Sequence, residues 1–411
     1  MKFVADFHLH SCYSRACSKD LSVAELAKWA KLKGIGLLGT GDFTHPLWLE
    51  QLKDRLREAG GGLYEHAGVK FLLTVEVNTL FYKAGRAHQI HHLLFVPSFE
   101  SAERLNGELE AFGSLSLDGR PTLRIEPPRL VELLLGVEPR GMLIPAHAWT
   151  PWFSIFGSSS GFDAVEECFE QQTPHIYALE TGLSSDPAMN WRLSALDRYT
   201  LISNSDSHSA RRIGREANVF EGEMSYDAIL DALKRQGATR LVETLEFFPE
   251  EGKYHYDGHR ACGIRWAPED TKRHGGRCTV CGRKVTVGVM SRVDALADRP
   301  DGAKPPRAVP FRRTVPLDEI IADALNANVG TQAVEREHQN LIYKCGTEFN
   351  ALLDASEEEL RTVTSPKIAE GILRMREGRV TIEPGYDGEY GKVKIFNEET
   401  PAASEQQMTL F

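Results

Sequence analysis

Ligand-type side chains recur at the ends of strand-like segments through the first 220 residues, and this regularity constrains the fold more than any other feature. The run Lys2-Phe3-Val4-Ala5-Asp6-Phe7 reads as a buried strand and leads into Asp6-Phe7-His8-Leu9-His10. Residues two apart on a strand point to the same side. His8 and His10 are therefore expected to converge at the strand's C-terminal end, as two ligands of one metal must. One such pair alone reads as two ordinary histidines near a terminus. The grammar recurs, however: Thr40-Gly41-Asp42-Phe43-Thr44-His45 follows a strand, Glu76 lies inside one, His91 and His92 lie in the next, His147 ends a fifth, and Ser205-Asp206-Ser207-His208 repeats the two-apart spacing.

Strands are expected at 2–8, 35–40, 69–77, 89–96, 141–146, 176–180 and 200–204, with helical stretches between several of them. One such stretch begins at Ser22, where Ser22 and Glu25 have capping-box spacing. Repeated β/α alternation predicts a parallel sheet, and about seven strands in this length favour closure into a barrel. Chemistry collects at the C-terminal ends of strands in such folds. The segment Gly157-Ser158-Ser159-Ser160-Gly161 reads as a mobile loop.

Five or so histidines with three carboxylates can hold two or three divalent ions. Such a centre makes hydroxide near neutral pH and clamps both oxygens of an in-line phosphoryl displacement. The ordered motifs Asp6-Phe7-His8-Leu9-His10, Gly39-Thr40-Gly41-Asp42, Glu76, Gln89-Ile90-His91, Pro145-Ala146-His147 and Ser205-Asp206-Ser207-His208 resemble the polymerase-and-histidinol-phosphatase (PHP) family. The resemblance implies an α/β fold, a distorted seven-stranded β/α barrel with phosphoesterase activity. It implies His8, His10, Asp42, Glu76, His91, His147, Asp206 and His208 as ligands of two or three ions (Zn, Mn, Mg or Fe), with Asp206 and His147 also catalytic. His91 matches rather than His92, because it follows an aliphatic residue. Asp42 stands where many members have histidine, and His45 is a further ligand or a phosphate contact. Members often carry another ligand where this chain has Ser14-Arg15-Ala16. That departure leaves the third ion open, and Arg15 either clamps a phosphate as a catalytic residue or lies on the surface.

A second metal signature lies downstream. His259-Arg260-Ala261-Cys262-Gly263 and Cys278-Thr279-Val280-Cys281-Gly282 each place two ligand types three apart with glycine following. Backbone amides turn toward sulfur in such a knuckle, and glycine permits the tight turn. His259, Cys262, Cys278 and Cys281 are expected to close one structural zinc site in a small zinc ribbon. His255 competes with His259, and free buried cysteines are the bland reading. Cys12, Cys17, Cys168 and Cys345 lack such spacing and read as unbridged thiols. Seven cysteines used this way fit a reducing cytoplasm better than a disulfide framework.

The chain carries a net charge of −10 over 411 residues, which argues weakly against nonspecific nucleic-acid binding. Between His259 and Arg307, however, eleven Lys/Arg face five Asp/Glu, an excess of six positive charges. That patch suits a phosphate backbone, or equally a solvated surface. No apolar run approaches the ~20 residues of a membrane span. Lys2 precedes only a short mixed strand, so neither a membrane nor a signal peptide is expected.

Nearly the whole chain resembles a DNA-repair branch of the same family. This rests on Glu180-Thr181-Gly182-Leu183-Ser184-Ser185-Asp186-Pro187, Ile213-Gly214-Arg215-Glu216-Ala217-Asn218, Gly288-Val289-Met290-Ser291-Arg292-Val293 and Ile382-Glu383-Pro384-Gly385-Tyr386-Asp387-Gly388. It implies cleavage of DNA on the 5′ side of deaminated bases (uracil, hypoxanthine, xanthine) and abasic sites, by an enzyme at the nucleoid. The lesion base would be flipped into a pocket. Trp149, Trp152 and Phe153 are candidates to line it, or are core.

Four units are expected: a barrel over 1–240, the basic ribbon over 241–305, a helical DNA-binding unit over 306–396 and a tail over 397–411. Segments 352–360 and 365–372 have the rhythm of a helix–hairpin–helix, but its glycines are replaced by Val363-Thr364-Ser365-Pro366, which favours an ordinary capped pair. The final Gln407-Met408-Thr409-Leu410-Phe411 resembles the sliding-clamp-binding peptide of bacterial replication and repair proteins. Met408, Leu410 and Phe411 would fill an apolar groove, with Gln407 orienting the peptide. Two competing functions remain: a small-molecule phosphatase on the same barrel, and a non-catalytic DNA- or clamp-binding module.

Overall fold

A computed structural model describes residues 1–396. The expected clamp-binding residues Gln407, Met408, Leu410 and Phe411 lie outside them. Strand β1 (Lys2–Asp6) sits centrally in an eleven-stranded sheet. It pairs in parallel with β2 (Ile35–Gly39), which pairs in parallel with β5 (Val69–Lys83). Strands β3 (Arg57–Gly60) and β4 (Leu63–His66) extend the β5 edge.

The expectation of an all-parallel sheet is corrected at β5. This strand runs 15 residues and folds back antiparallel onto β6 (Arg86–Val96) through Ala84 and Gly85. Both turn residues have positive φ, 50° and 77°. That is the turn whose twist matches a two-residue hairpin, and so short a connection cannot join parallel strands. The short β7 (Thr122–Leu123) adds to β5, and β8 (Met142–Pro145) pairs antiparallel with β6.

Strands β9 (Ala178–Glu180) and β10 (Thr200–Ile202) form a separate parallel pair. Their C-terminal ends bond to the neighbours on either side. Ala148 N donates to Glu180 O (2.9 Å), and His10 N donates to Ser207 O (3.0 Å). On the other edge of β1, β11 (Ala217–Glu221) and β12 (Arg240–Glu246) add antiparallel strands not expected from the sequence.

The downstream segments attach closely to this body. Strands β13 (Asp257–His259) and β14 (Ile264–Trp266) pair antiparallel on either side of the segment that holds Cys262. The helix Val289–Leu296 buries Val289 and Val293 in the same apolar cluster as Trp149, Phe156 and Phe162. Strand β15 (Phe311–Arg313) pairs with β12, extending the main sheet. Helices Leu317–Leu325, Gln332–Cys345, Glu357–Val363 and Pro366–Arg376 enclose a further cluster around Ile320, Leu341, Leu360 and Ile372. Ser356 and Glu359 form a complete capping box, and Ser365 caps a helix whose first residue is Pro366. At Ser22 only half of the expected box forms, because the Glu25 carboxylate is taken by Lys28 and Trp29.

The expected mobile loop is tied down at several points. Arg86 donates to Ser159 O (3.1 Å), the Ser160 hydroxyl accepts from Phe153 N (3.0 Å), and Arg292 donates to the Phe156 and Phe162 carbonyls on either side. Among the described residues, no helix is long and apolar enough to cross a membrane.

Candidate metal centre

Two extended segments run side by side at the C-terminal end of β1. Phe7 N donates to Asn204 Oδ1 (2.9 Å), while Asp6 accepts from Ser205 N (3.1 Å) and Gly214 N (2.8 Å). Leu9 forms a bridge with Ser207. Burial pushes the Asp6 carboxyl up to about 6 despite these donors. The pairing carries Asp206 to the face presented by His8 and His10, although β1 itself ends at Asp6.

Glu76, fully buried in the middle of β5, faces both sides of the resulting cluster. Its Oε2 lies 3.4 Å from His8 Nε2 and 3.3 Å from His10 Nε2. Asp206 Oδ1 completes this group at 3.1 Å from His10 Nε2 and 3.6 Å from His8 Nε2. The other oxygen of Glu76, Oε1, lies 2.6 Å from His91 Nδ1 and 3.0 Å from His147 Nε2. Ligand atoms of His8, His10, Glu76 and Asp206 lie within 4.8 Å of one another, and so do those of Glu76, His91 and His147. One carboxylate thus contributes an oxygen to each of the two groups.

His92 is separate from this centre. Its Nε2 bonds Thr79 Oγ1 (3.1 Å), and its ring meets Phe169 edge-on.

Outer carboxylates aim the first two imidazoles. His8 Nδ1 lies 3.0 Å from both oxygens of Glu180, a residue that sequence reasoning left without a role. Glu180 also accepts from His147 N (2.8 Å) and Asn204 Nδ2 (2.8 Å). A signal for it existed, since it ends the strand expected at 176–180. His10 Nδ1 lies 3.0 Å from Asp42 Oδ1.

Asp42, expected as a ligand, therefore stands behind His10 and outside both groups. Its other oxygen accepts from Ser11 N (2.6 Å), Ser11 Oγ (2.7 Å) and Ser14 Oγ (2.8 Å). His208 is also outside. Its ring sits 4.6 Å from that of His10, but Nδ1 turns to Asp206 O (2.9 Å). His45 stacks on Tyr13 instead of joining the centre. Arg15 is 81% exposed and paired with Asp118, so it does not reach the groups it was expected to serve. Arg120, which no motif flagged, does reach them: its Nη1 lies 3.0 Å from Glu76 Oε2.

Three residues of this centre hold left-handed backbone: Asp42 (φ 49°), His147 (φ 30°) and Asp206 (φ 45°). Each such residue costs roughly 1–2 kcal/mol. All three follow strand ends, at Gly39, Pro145 and Ile202. Gly182 is needed beside one of them, since a Cβ there would lie 2.5 Å from His147 Cβ.

The charges fit a cation. Burial raises the Glu76 and Asp206 carboxyls, yet the facing imidazoles and, for Glu76, Arg120 hold both well below the usual range. Burial works against protonated His8 and His10, but surrounding carboxylates raise both. His91 is pushed down to about 4, chiefly by burial, and so stays neutral, the form that binds metals. His8 Nε2 is buried without a hydrogen-bond partner among the described residues, although it points at two carboxylate oxygens. A buried polar atom without a partner calls for an explanation such as an ion.

His259, Cys262, Cys278 and Cys281 form a third group within 4.8 Å. His259 Nδ1 lies 3.6 Å from Cys281 Sγ, whereas the competing His255 is buried elsewhere. Gly263 (φ 64°) and Gly282 (φ 72°) adopt the left-handed turns expected of knuckles. Several cations of the basic segment are engaged locally: Arg292 with Asp163, Arg299 with Asp197 and Arg273 with Asp270. Of the three aromatics considered for a base pocket, Trp149 is core and bonds Asn190. Trp152 and Phe153 are exposed, and Phe153 stacks on His91 with ring centres 4.9 Å apart.

Comparison with solved structures places this architecture. The lesion-specific endonuclease PfuEndoQ from Pyrococcus furiosus has 31% sequence identity and a TM-score of 0.87, covering 99% of this chain and 98% of that one. An endonuclease Q bound to a 27-mer duplex with an abasic lesion at the active site gives 31% identity and 0.86, covering 99% of this chain and 100% of that one. The uncharacterized protein YqxK of Bacillus subtilis is 29% identical across 96% of this chain and 99% of its own length. The uncharacterized protein MJ0043 of Methanocaldococcus jannaschii is 32% identical over 61% of this chain, which spans only about a third (31%) of that protein. Residues 316–379 match the family model of the MJ0043 C-terminal domain.

Fold and likeness together define a hydrolytic DNA endonuclease. The chain belongs to the endonuclease Q family.

Proposed function

We propose that this protein is a metal-dependent DNA repair endonuclease that cuts the phosphodiester 5′ to deaminated bases (uracil, hypoxanthine and xanthine) and abasic sites. The observation that carries this reading is Glu76, whose two oxygens serve two adjoining ligand groups. The related endonuclease with an abasic duplex at its active site supports the substrate class.

In this reading His8, His10, Glu76 and Asp206 hold one divalent ion, and Glu76, His91 and His147 hold another. Such ions would lower the pKa of water and offset charge on the phosphate oxygens. The chain's own groups do the rest. Glu180 and Asp42 fix the rings of His8 and His10 through Nδ1, so each Nε2 presents its lone pair inward. Asp206, whose side chain is a quarter exposed, turns Oδ1 to His8 and His10 and would orient the incoming water beside them. The left-handed turn at His147 holds its Nε2 toward Glu76 while Nδ1 bonds Thr150 Oγ1 (3.2 Å).

We read β1, β2, β5, β6, β8, β9 and β10 as the distorted seven-stranded barrel over 1–240. Units at 241–305 and 306–396 would grip DNA, with a structural zinc at His259, Cys262, Cys278 and Cys281. The tail at 397–411 would recruit the sliding clamp. Action on DNA in the cytoplasm, at the nucleoid, follows from this reading.

A nicking assay on undamaged, uracil, hypoxanthine and abasic duplexes, run beside a phosphomonoester, tests it. The wild-type chain should cut the damaged duplexes 5′ to the lesion. Asp206→Ala should bind them without cutting. Phosphomonoester hydrolysis with no nicking would instead establish the small-molecule phosphatase.

A further inference from the structure

Arg120 stands in a loop whose two flanks are both anchored to the metal centre's own supports. Before it, Gly119 N donates to Tyr13 O (3.2 Å), and Gly119 O accepts from Thr44 Oγ1 (3.3 Å). A Cβ at Gly119 would fall on the Asp42 carboxylate and the Ser14 hydroxyl, so the backbone lies directly against the groups behind His10. After it, Pro121 O accepts from Asn78 N (3.0 Å), and Asn78 lies on β5 two residues from Glu76. The Arg120 amide itself donates to Asp118 Oδ1 (3.2 Å). The side chain therefore reaches Glu76 from a fixed point.

Its guanidinium is only partly covered, at 27% exposure. Among the described residues, Nη1 alone has a hydrogen-bond partner, the Glu76 oxygen shared with His8 and His10. The remaining N–H donors are free. Arg15 is mostly in solvent and held by Asp118, so it cannot offer the same geometry. A guanidinium presents a rigid fork of donors that matches two oxygens of a phosphate.

We propose that Arg120 is a catalytic residue that grips a non-bridging oxygen of the scissile phosphodiester. One nitrogen stays on Glu76 while the free donors take the phosphate. The arginine thereby sets the distance between the phosphate and the ligand carboxylate and neutralises charge that accumulates on the equatorial oxygens during displacement. This inference rests on the endonuclease reading.

The test compares wild type, Arg120→Lys and Arg120→Gln in the full-length protein. Metal content per chain, affinity for inorganic phosphate by calorimetry on the metal-loaded protein, and kcat/KM for nicking an abasic duplex are measured together. Arg120→Gln should keep its metal, bind phosphate about tenfold or more weakly, and lose roughly a hundredfold in kcat/KM, as when one transition-state donor is removed. Arg120→Lys should recover part of both losses, because it keeps the charge without the fork. Unchanged phosphate affinity in Arg120→Gln overturns the proposal. So does metal content falling in step with activity, since Arg120 would then act only as the counter-ion of Glu76. A wild-type protein that binds metal and phosphate but nicks no DNA overturns the endonuclease reading instead, and is read apart from the variants.

Discussion

Asp42 Oδ1 lies 3.0 Å from His10 Nδ1, and this contact places the carboxylate behind the imidazole, outside the cluster that the imidazole faces. The opposite nitrogen of the same ring faces Glu76 and Asp206. Glu180 stands in the same relation to His8. Each histidine thus has an inner and an outer carboxylate, which fixes both its tautomer and its direction.

Asp42→Ala should weaken metal binding about 10–100-fold without removing any atom from the converging groups. Metal titration followed by calorimetry measures this directly. The variant also leaves Ser11 N and the Ser11 and Ser14 hydroxyls without their acceptor, so a modest loss of thermal stability should accompany it. Metal affinity equal to wild type would show that His10 is held by other contacts.

A buried ion triad joins the helix Val23–Lys33 to the C-terminal helices. Glu348 bonds Lys33 Nζ (3.2 Å) and His338 Nε2 (3.1 Å), all three nearly inaccessible. Burial opposes the charged carboxylate, but Lys33 and His338 bring Glu348 down to about 2 from an ordinary 4.5. A carboxyl lowered on folding stabilises fully above its unfolded value and loses that contribution as pH falls through its folded value. The shift corresponds to about 3 kcal/mol, absent in Glu348→Gln. Denaturant unfolding should show a gap between wild type and variant at neutral pH that closes as pH drops from about 5 toward 2. A gap independent of pH would mean the triad contributes through packing alone.

If the proposed structural zinc is present, Cys278→Ser should lower the zinc content by one per chain without changing metal binding at the Glu76 centre. Against its burial, the backbone amides of Cys281 and Val280 draw the Cys278 thiol down to about 6, which favours the thiolate a zinc requires. Elemental analysis before and after the substitution decides the point. Equal zinc in both proteins would remove the ribbon from the account.

Removing residues 407–411 should abolish binding to a bacterial sliding clamp and leave nicking of short duplexes unchanged. Surface plasmon resonance on immobilised clamp, paired with the nicking assay, separates the two. Undiminished clamp affinity would dismiss the tail as the attachment point.

By itself the sequence determined which residue types meet and where along the chain. His8, His10, Glu76, His91, His147 and Asp206 all lie in or just after segments legible as strands, because strand periodicity and termini are local properties. The grouping of His259, Cys262, Cys278 and Cys281 was legible for the same reason, since each pair lies three apart within one turn. The tertiary structure decided what those local signals cannot encode. Whether a carboxylate faces the centre or braces a histidine depends on where its strand end lies relative to the others, and so Asp42 stands behind His10 while Glu180 stands behind His8. The antiparallel return of β6 rests on the two-residue turn at Ala84 and Gly85, whereas the pairing of β11 with β1 depends on long-range register. Arg15 and Arg120 look alike as polar loop residues. The tertiary contacts of the loop around Gly119 bring Arg120 to Glu76, whereas Arg15 lies in solvent beside Asp118.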